Sequence, residues 1–449
     1  MKKSKIGLTI LLVIVLSASV FTAITITSPA TTDKTEIILN DSSVHNQHDH
    51  NNVNCVFKTV FEGQFNFDSL KYNTPADVQR SIEKGLEWIV KAQSPDGGWG
   101  AGSHYRQDIT DPHQVNSDPA TTAMVSMAIL RCDNVLSGGK YSVQLNKALN
   151  YLFTCVETSA PEDFNITKEQ NTQPQIKLGQ NIDVVLTSQF LTNILDHIVN
   201  DPTLEKRTKD AIQVCVNKIQ SAQTNNGSFN GGSWAGVLQS SFATGALEAA
   251  EIKGIDVSDT ILANARKYQS SNYDEKTGTV RTDDAAGVML YSVSSTSRNT
   301  AQESNTAKIN LKKAKEEGKL DKNAEMTVEN LQKAGMSESE ALTTYSAYKV
   351  NESAKMQAIS KDIMVGFGNN GGEEFLSFLQ TGEGLIISND NTWKKWYDNI
   401  SKTLVNIQEE EGNWSGHHCI TSPVFCTATS LLILSINNDV EELAVMGHK

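Results

Sequence analysis

One local device occurs three times in this chain. "QSPDGGW" runs from Gln93 to Trp99, "QTNNGSF" from Gln223 to Phe229, and "QEEEGNW" from Gln408 to Trp414. All three read Gln-x-x-x-Gly-x-aromatic. A device that recurs along a long chain points to a fold assembled from repeated units, each burying its apolar face only against its neighbours. Within the device, Gln93, Gln223 and Gln408 supply amides for the unpaired groups at helix ends. Gly97, Gly227 and Gly412 permit the positive φ of a tight exit turn. Trp99, Phe229 and Trp414 occupy the aromatic position.

The segments between the copies alternate in character. From Asp77, "DVQRSIEKGLEWIVKAQ" places Ile82, Leu86, Ile89 and Val90 on one helical face with charge on the other. Residues 144–157, 208–223, 258–271 and 392–408 share that amphipathic pattern and read as outer helices. Residues 121–132, 183–198, 238–252, 284–293 and 422–436 are smaller and apolar nearly all round, as helices buried on every side are. Strand signals are few, so the class is all-α, built of helical hairpins. The stretch 300–358 departs from the pattern by its charge density and reads as solvated helices or an excursion from the core.

A Gln-x-x-x-Gly-x-Trp turn between an outer and an inner helix, repeated around an all-α chain, resembles the repeat of squalene cyclases and protein prenyltransferase β subunits. The resemblance spans roughly residues 75–438. It implies an α/α toroid of five to six hairpins with a central cavity, in which the device ties adjacent hairpins together. It fixes architecture and says little of activity.

The resemblance also implies where chemistry would sit, at the mouth of the cavity where inner helices begin. Squalene cyclases carry Asp-x-Asp-Asp-Thr-Ala there. Here "RTDDAA", from Arg281 to Ala286, keeps the acidic pair Asp283 and Asp284 but has Arg281 for the leading Asp and Ala285 for the Thr. "DPATTA", from Asp118, keeps the leading Asp and has lost the pair. Both copies are eroded, which argues against alkene protonation, a reaction that needs a buried, neutral carboxyl. Asp283 and Asp284 are the remaining catalytic candidates, and helix capping is their other reading. Asp118 before Pro119 likewise fits a cap with Pro at the first helical position. The prenyltransferase zinc set is incomplete, because Asp-x-Cys is missing and Cys426 stands where its His would fall.

Two loops carry ligand-type residues. "GAGSHYRQDITDPHQVNSD" contains His104 and Arg106, and "NWSGHHCITSPVFC" contains His417, His418, Cys419 and Cys426. His104, Arg106, Asp118, His417 and His418 are the binding candidates. The His417–Cys426 set is of the ligand type zinc prefers, with loop contacts or a disulfide as its alternatives. For the six Cys, Cys419 with Cys426 and Cys132 with Cys155 are the first pairings to consider, against buried free thiols.

The N-terminus joins a basic "MKKSK" to an uncharged run lasting to residue 32, which fits a signal peptide or a membrane anchor over residues 1–28 and places the rest outside the cytoplasm. Residues 29–75, with His45, His48 and His50, read as a polar linker, 76–438 as the toroid, and 439–449 as a tail. With 39 Lys and Arg against 52 Asp and Glu, the net charge of −13 argues against a nucleic-acid partner, which requires clustered positive charge. The reading is an exported module that binds an apolar, glycan or protein ligand at the ring mouth. The alternative is a terpenoid-type or polysaccharide-processing enzyme using rim Asp and His residues. The sequence identifies no cofactor.

Overall fold

A computed structural model describes residues 70–229, 233–365 and 371–446. The described residues all belong to one compact unit, residues 62–449. The leader, most of the linker with its three His, and Cys55 lie outside the described residues. No helix among those described is long and apolar enough to cross a membrane.

The fold is all-α apart from one antiparallel pair. In chain order the helices are α1 (Ala76–Lys91), α2 (Pro119–Arg131), α3 (Ser142–Thr158), α4 (Gln173–Leu178), α5 (Ile182–Ile194), α6 (Pro202–Ser221), α7 (Gly236–Ile252) and α8 (Asp259–Ser271). Strands β1 (Tyr273–Asp274) and β2 (Thr279–Val280) follow. Then come α9 (Met289–Glu316), α10 (Val328–Lys333), α11 (Glu338–Ala358), α12 (Lys361–Met364), α13 (Gly372–Ile387), α14 (Thr392–Ile407), α15 (Pro423–Leu434) and α16 (Val440–Met446).

Packing partners follow burial. Helices α2, α5, α7, α13 and α15 are buried almost throughout, as is the first half of α9. They contact one another in the order α2, α5, α7, α9, α13, α15, and α15 packs back on α2. The half-buried helices α3, α6, α8, α11 and α14 each lie on the buried helix that precedes them. Helix α1 has none before it among the described residues and lies on α15.

Local chemistry sets where the buried helices start. Asp118 caps α2, its carboxylate accepting from the Thr121 amide, and Pro119 takes the first position, where its missing amide is no loss. Ser422 and Pro423 repeat the arrangement at α15. The three devices also repeat one another bond for bond. Gln93, Gln223 and Gln408 each donate through Nε2 to the carbonyl of the turn glycine, at 2.8, 3.3 and 2.7 Å. The same nitrogen donates to a carbonyl on the next half-buried helix: Gln144 at 2.9 Å, Ile261 at 2.8 Å and Ser81 at 2.9 Å. The amides of Trp99, Phe229 and Trp414 donate to Thr122, Ser240 and Thr427 on the following buried helix. Gly97, Gly227 and Gly412 have φ of 94°, 90° and 105°.

Side chains from non-adjacent buried helices also meet. Ser241 on α7 donates to Gln380 on α13 at 3.0 Å, and Asn299 on α9 donates to Ser241. Nearer the other helix ends, Glu383 on α13 binds Arg131 of α2 at 3.1 Å and Arg298 of α9 at 3.3 Å, while Arg298 also faces Glu248 of α7.

Residues on both sides of 76–438 pack with the helical core: Leu70 is buried, Tyr72 packs on Trp393 and Tyr397, and the last segment contributes Asp439, which pairs with Arg131, and buried Val440 and Leu443. The excursion at 300–358 is narrower than its charge suggested. Its ends belong to α9 and α11, which pack on each other and are joined by Asn351 of α11 donating to the Ser297 carbonyl of α9 at 2.8 Å. Only the far halves, with α10, form separate small cores around Leu331 and Leu320. Finally, the five described Cys are free thiols. Cys132 terminates α2, whereas Cys155 feels Asp118 at its start, about 20 Å away for a 13-residue helix. Cys426 lies against the Ile420 carbonyl, and Cys419 lies beside Glu373.

Candidate functional site

The loops that lead into the buried helices are stitched together. Gln173, at the start of α4, donates to the Ala101 carbonyl at 2.9 Å and accepts from the Thr421 and Ser422 amides at 2.7 and 3.1 Å. One amide therefore joins the first, second and last of these loops. Gln107 donates to the Cys419 carbonyl at 3.0 Å, His104 N–H to the Asn171 carbonyl at 2.8 Å, and Ala235 N–H to the Lys177 carbonyl at 2.9 Å. Gly372 N–H reaches the Ile420 carbonyl at 3.0 Å, bringing in the entry to α13.

This end holds a buried polar cluster. Glu373 is fully buried; its Oε2 accepts from the Ile420 amide at 3.2 Å and its Oε1 accepts no hydrogen bond. Burial pushes its carboxyl up to about 7, opposed by that amide and by Lys177. The neighbouring Cys419 has φ of 65°, and burial with the Glu373 charge holds its thiol up at about 11. Buried Lys177 places its ammonium 4.7 Å from the centroid of the Trp234 ring. His104 and His418 both lie below the ordinary imidazole range, through burial first and the Lys177 charge second. The His104 ring Nδ1 is 2.8 Å from Gln107 Nε2.

A second carboxyl pair lies under the second loop. Asp118 accepts from Ala101 N–H, Thr121 N–H and the Thr121 hydroxyl at 2.7–2.9 Å. Asp183 accepts from Ala120 N–H, Asn165 and Gln175. Burial raises both carboxyls, Asp118 to about 7 with Asp183 adding to the effect. Above them the loop encloses a cleft of about 600 Å³ lined by Phe164, Asn165, Glu169, Asn171, Gln175 and Gln180, among others.

The same set of loops carries the exposed aromatics. Tyr105, Phe164 and Trp234 are 71, 44 and 49 % exposed, and they are the large exposed aromatic side chains among the described residues. All three sit on loops that lead into buried helices.

The sequence candidates fall unevenly on this geometry. His104 and His418 belong to the cluster, and His417 is exposed beside it. Arg106 turns away and makes a solvent-exposed fork to Asp108 at 2.9 Å. Asp118 is a buried cap and not a surface ligand. Asp283 is exposed, and Asp284 accepts from the Tyr268 hydroxyl at 2.8 Å. Both lie in a short turn, and Val288 occupies the cap position of α9, so neither caps the following helix. The zinc set does not converge: no group of three or more His, Cys, Asp or Glu among the described residues can hold a metal ion. Cys426 is directed into its own loop, away from exposed His417.

Sequence reasoning missed Gln173, Lys177, Trp234 and Glu373. Trp234 follows a Gly-rich "NGGSW", and Glu373 opens the Gly-rich stretch whose helix had no clear periodicity. Comparison of the chain with protein-family models, curated proteins and solved structures finds no match.

Proposed function

We propose that the chain is an α/α toroid of the squalene cyclase and prenyltransferase repeat type, exported, that binds a neutral glycan at the end where its inner helices begin. The closed order of helix contacts and the three equivalent turns support the toroid. The observation that carries the ligand class is an amide-rich cleft with exposed Phe164 in its wall, together with exposed Trp234, whose backbone amide bonds the carbonyl of Ile176 in the lining, and exposed Tyr105 on the loop before α2. Exposed aromatic faces stack on the C–H faces of sugar rings, and Asn and Gln side chains both donate to and accept from hydroxyls. A neutral ligand also suits a surface of net charge −13. A terpenoid ligand is disfavoured, since the side chains that meet between inner helices are Ser, Asn, Gln and ion pairs, whereas a carbocation needs aromatic walls.

A second reading, a polysaccharide-processing enzyme, is favoured by Glu373. A buried carboxyl at about 7 retains its proton near neutrality, as a general acid must.

Calorimetric titration with neutral oligosaccharides tests the proposal. Binding by the wild type that is lost in Trp234→Ala, at unchanged melting temperature, supports it. Heat only with isoprenoid ligands, or equal binding by the variant, overturns it. Chain shortening during the titration that stops in Glu373→Gln selects the enzyme reading.

A further inference from the structure

The excursion built by the far halves of α9 and α11 with α10 has a pocket of its own. It measures about 470 Å³ and is lined by Lys308, Lys312, Lys315 and Lys355, with Leu311, Met326 and Tyr348 among its apolar walls. Lys308, Lys312 and Lys315 stand at i, i+4 and i+7, which places them on one face of α9. Four ammonium groups thus line a small pocket on a chain whose net charge is −13.

The carboxylates in reach do not balance them. Glu352, the one acidic residue of the lining, is shared by Lys308 at 2.9 Å and Lys355 at 2.7 Å. Asp390 takes Lys355, and Glu316 stands 3.9 Å from solvent-exposed Lys312. Lys315 has no ion-pair partner among the described residues. Lys308 is lowered from the ordinary lysine range, by burial first and by the Lys355 charge second, even with Glu352 and Asp390 acting against both. An added anion relieves that repulsion.

We infer that this pocket binds an oxyanion of the phosphate monoester class carrying an apolar or aromatic body. Lys308, Lys312 and Lys315 hold the oxyanion, and Tyr348, Met326 and Leu311 cover the body. Ammonium groups suit phosphate as movable point charges, and binding of this kind weakens with salt. The site is independent of the glycan face, so either proposal stands or fails without the other.

The test uses the full chain and phenyl phosphate as probe, with inorganic phosphate and with vesicles of phosphatidic acid or phosphatidylcholine as further arms. The expected result is calorimetric binding of phenyl phosphate that weakens at least tenfold in the double variant Lys312→Gln/Lys315→Gln, and weakens on raising the salt. Lys333→Gln, an exposed change elsewhere in the excursion, leaves it unaltered. Binding to phosphatidic acid vesicles alone, lost in the double variant, assigns the same oxyanion site to a lipid headgroup. No binding in any arm, or equal affinity in the wild type and the double variant, overturns the inference. Lys312 is exposed and Lys315 half-buried, so an unchanged melting temperature verifies that the variant is folded.

Discussion

Gln408 grips Ser81 with both ends of its amide. Its Nε2 donates to the Ser81 carbonyl at 2.9 Å and its Oε1 accepts from the Ser81 hydroxyl at 2.7 Å, so the last device of the chain is bonded to its first helix. The companion glycine is held as tightly. Gly412 has φ of 105°, and a Cβ there would lie 2.7 Å from the Lys84 carbonyl. Gly412→Ala therefore combines an unfavourable φ, ~1 kcal/mol, with a backbone clash, and costs more than ~2 kcal/mol. Gly254→Ala, at φ of 77° with nothing within 4 Å, carries the φ cost alone. Chemical denaturation of the two variants checks the difference, and equal losses would refute the clash.

Glu383 is the carboxylate on which two buried arginines converge. Glu383→Gln leaves Arg131 with Asp439 and Arg298 with Glu248 as their remaining carboxylates, and a loss of ~2–3 kcal/mol is expected. Asp210→Asn, which breaks the exposed pair with Lys206, changes stability by less than ~1 kcal/mol. Urea midpoints of the two variants report the contrast.

The raised Glu373 carboxyl predicts a direction for stability against pH. Unfolded, the group loses its proton near 4.5, whereas folded it keeps it to about 7. Its contribution is therefore fully present below pH 4.5 and is lost as the pH rises through 7, to an extent of up to ~3 kcal/mol. Between pH 5 and 8 the wild type should lose more stability than Glu373→Gln. His104 and His418 act oppositely, costing stability as the pH falls from the ordinary imidazole value of 6.5 toward their own lowered range, because there the unfolded chain binds protons that the folded one does not. Melting curves of both proteins across that window isolate the Glu373 share, and parallel curves would remove it.

Trp234→Ala should separate binding from folding. The ring is half exposed, so the stability change stays below ~1 kcal/mol, while affinity for a neutral oligosaccharide falls at least tenfold. Tyr105→Ala should give a smaller loss of the same kind. Paired calorimetry and thermal melting measure both quantities.

Much of this architecture was legible because it is written in local, periodic terms. The device at Gln93, Gln223 and Gln408 marks where a half-buried helix ends, and the apolar runs at 121–132 and 422–436 mark two helices that are buried all round. Asp118 and Ser422, each followed by proline, fix helix starts. The site was less legible because its parts are neighbours in space alone. Gln173 meets Thr421 across 248 positions, and Lys177, Glu373 and Cys419 lie on three different segments. Nothing in the local pattern of "QPQIKL" or "GGEEF" marks either as a wall of one cluster. The ligand-type residues that drew attention, Arg106 and His417, are those solvent already satisfies. Charge density also misled at 300–358, where lysines spaced along one helix face hid the small residues that pack beneath them.

The clasp between Gln408 and Ser81 bears on how the polypeptide matures. Helix α1 leaves the ribosome well before the helix it lies on, α15, which is made some 330 positions later, as the separation of 327 between the clasped residues reflects. An open solenoid can grow unit by unit and cap its ends; here the opening segment must wait, its apolar stripe of Ile82, Leu86 and Ile89 uncovered, until synthesis is almost complete. The closing step is thus a long-range event carrying the full entropy of joining distant segments. Chains truncated before Gln408 lack both α15, on which α1 lies, and the amide that clasps Ser81.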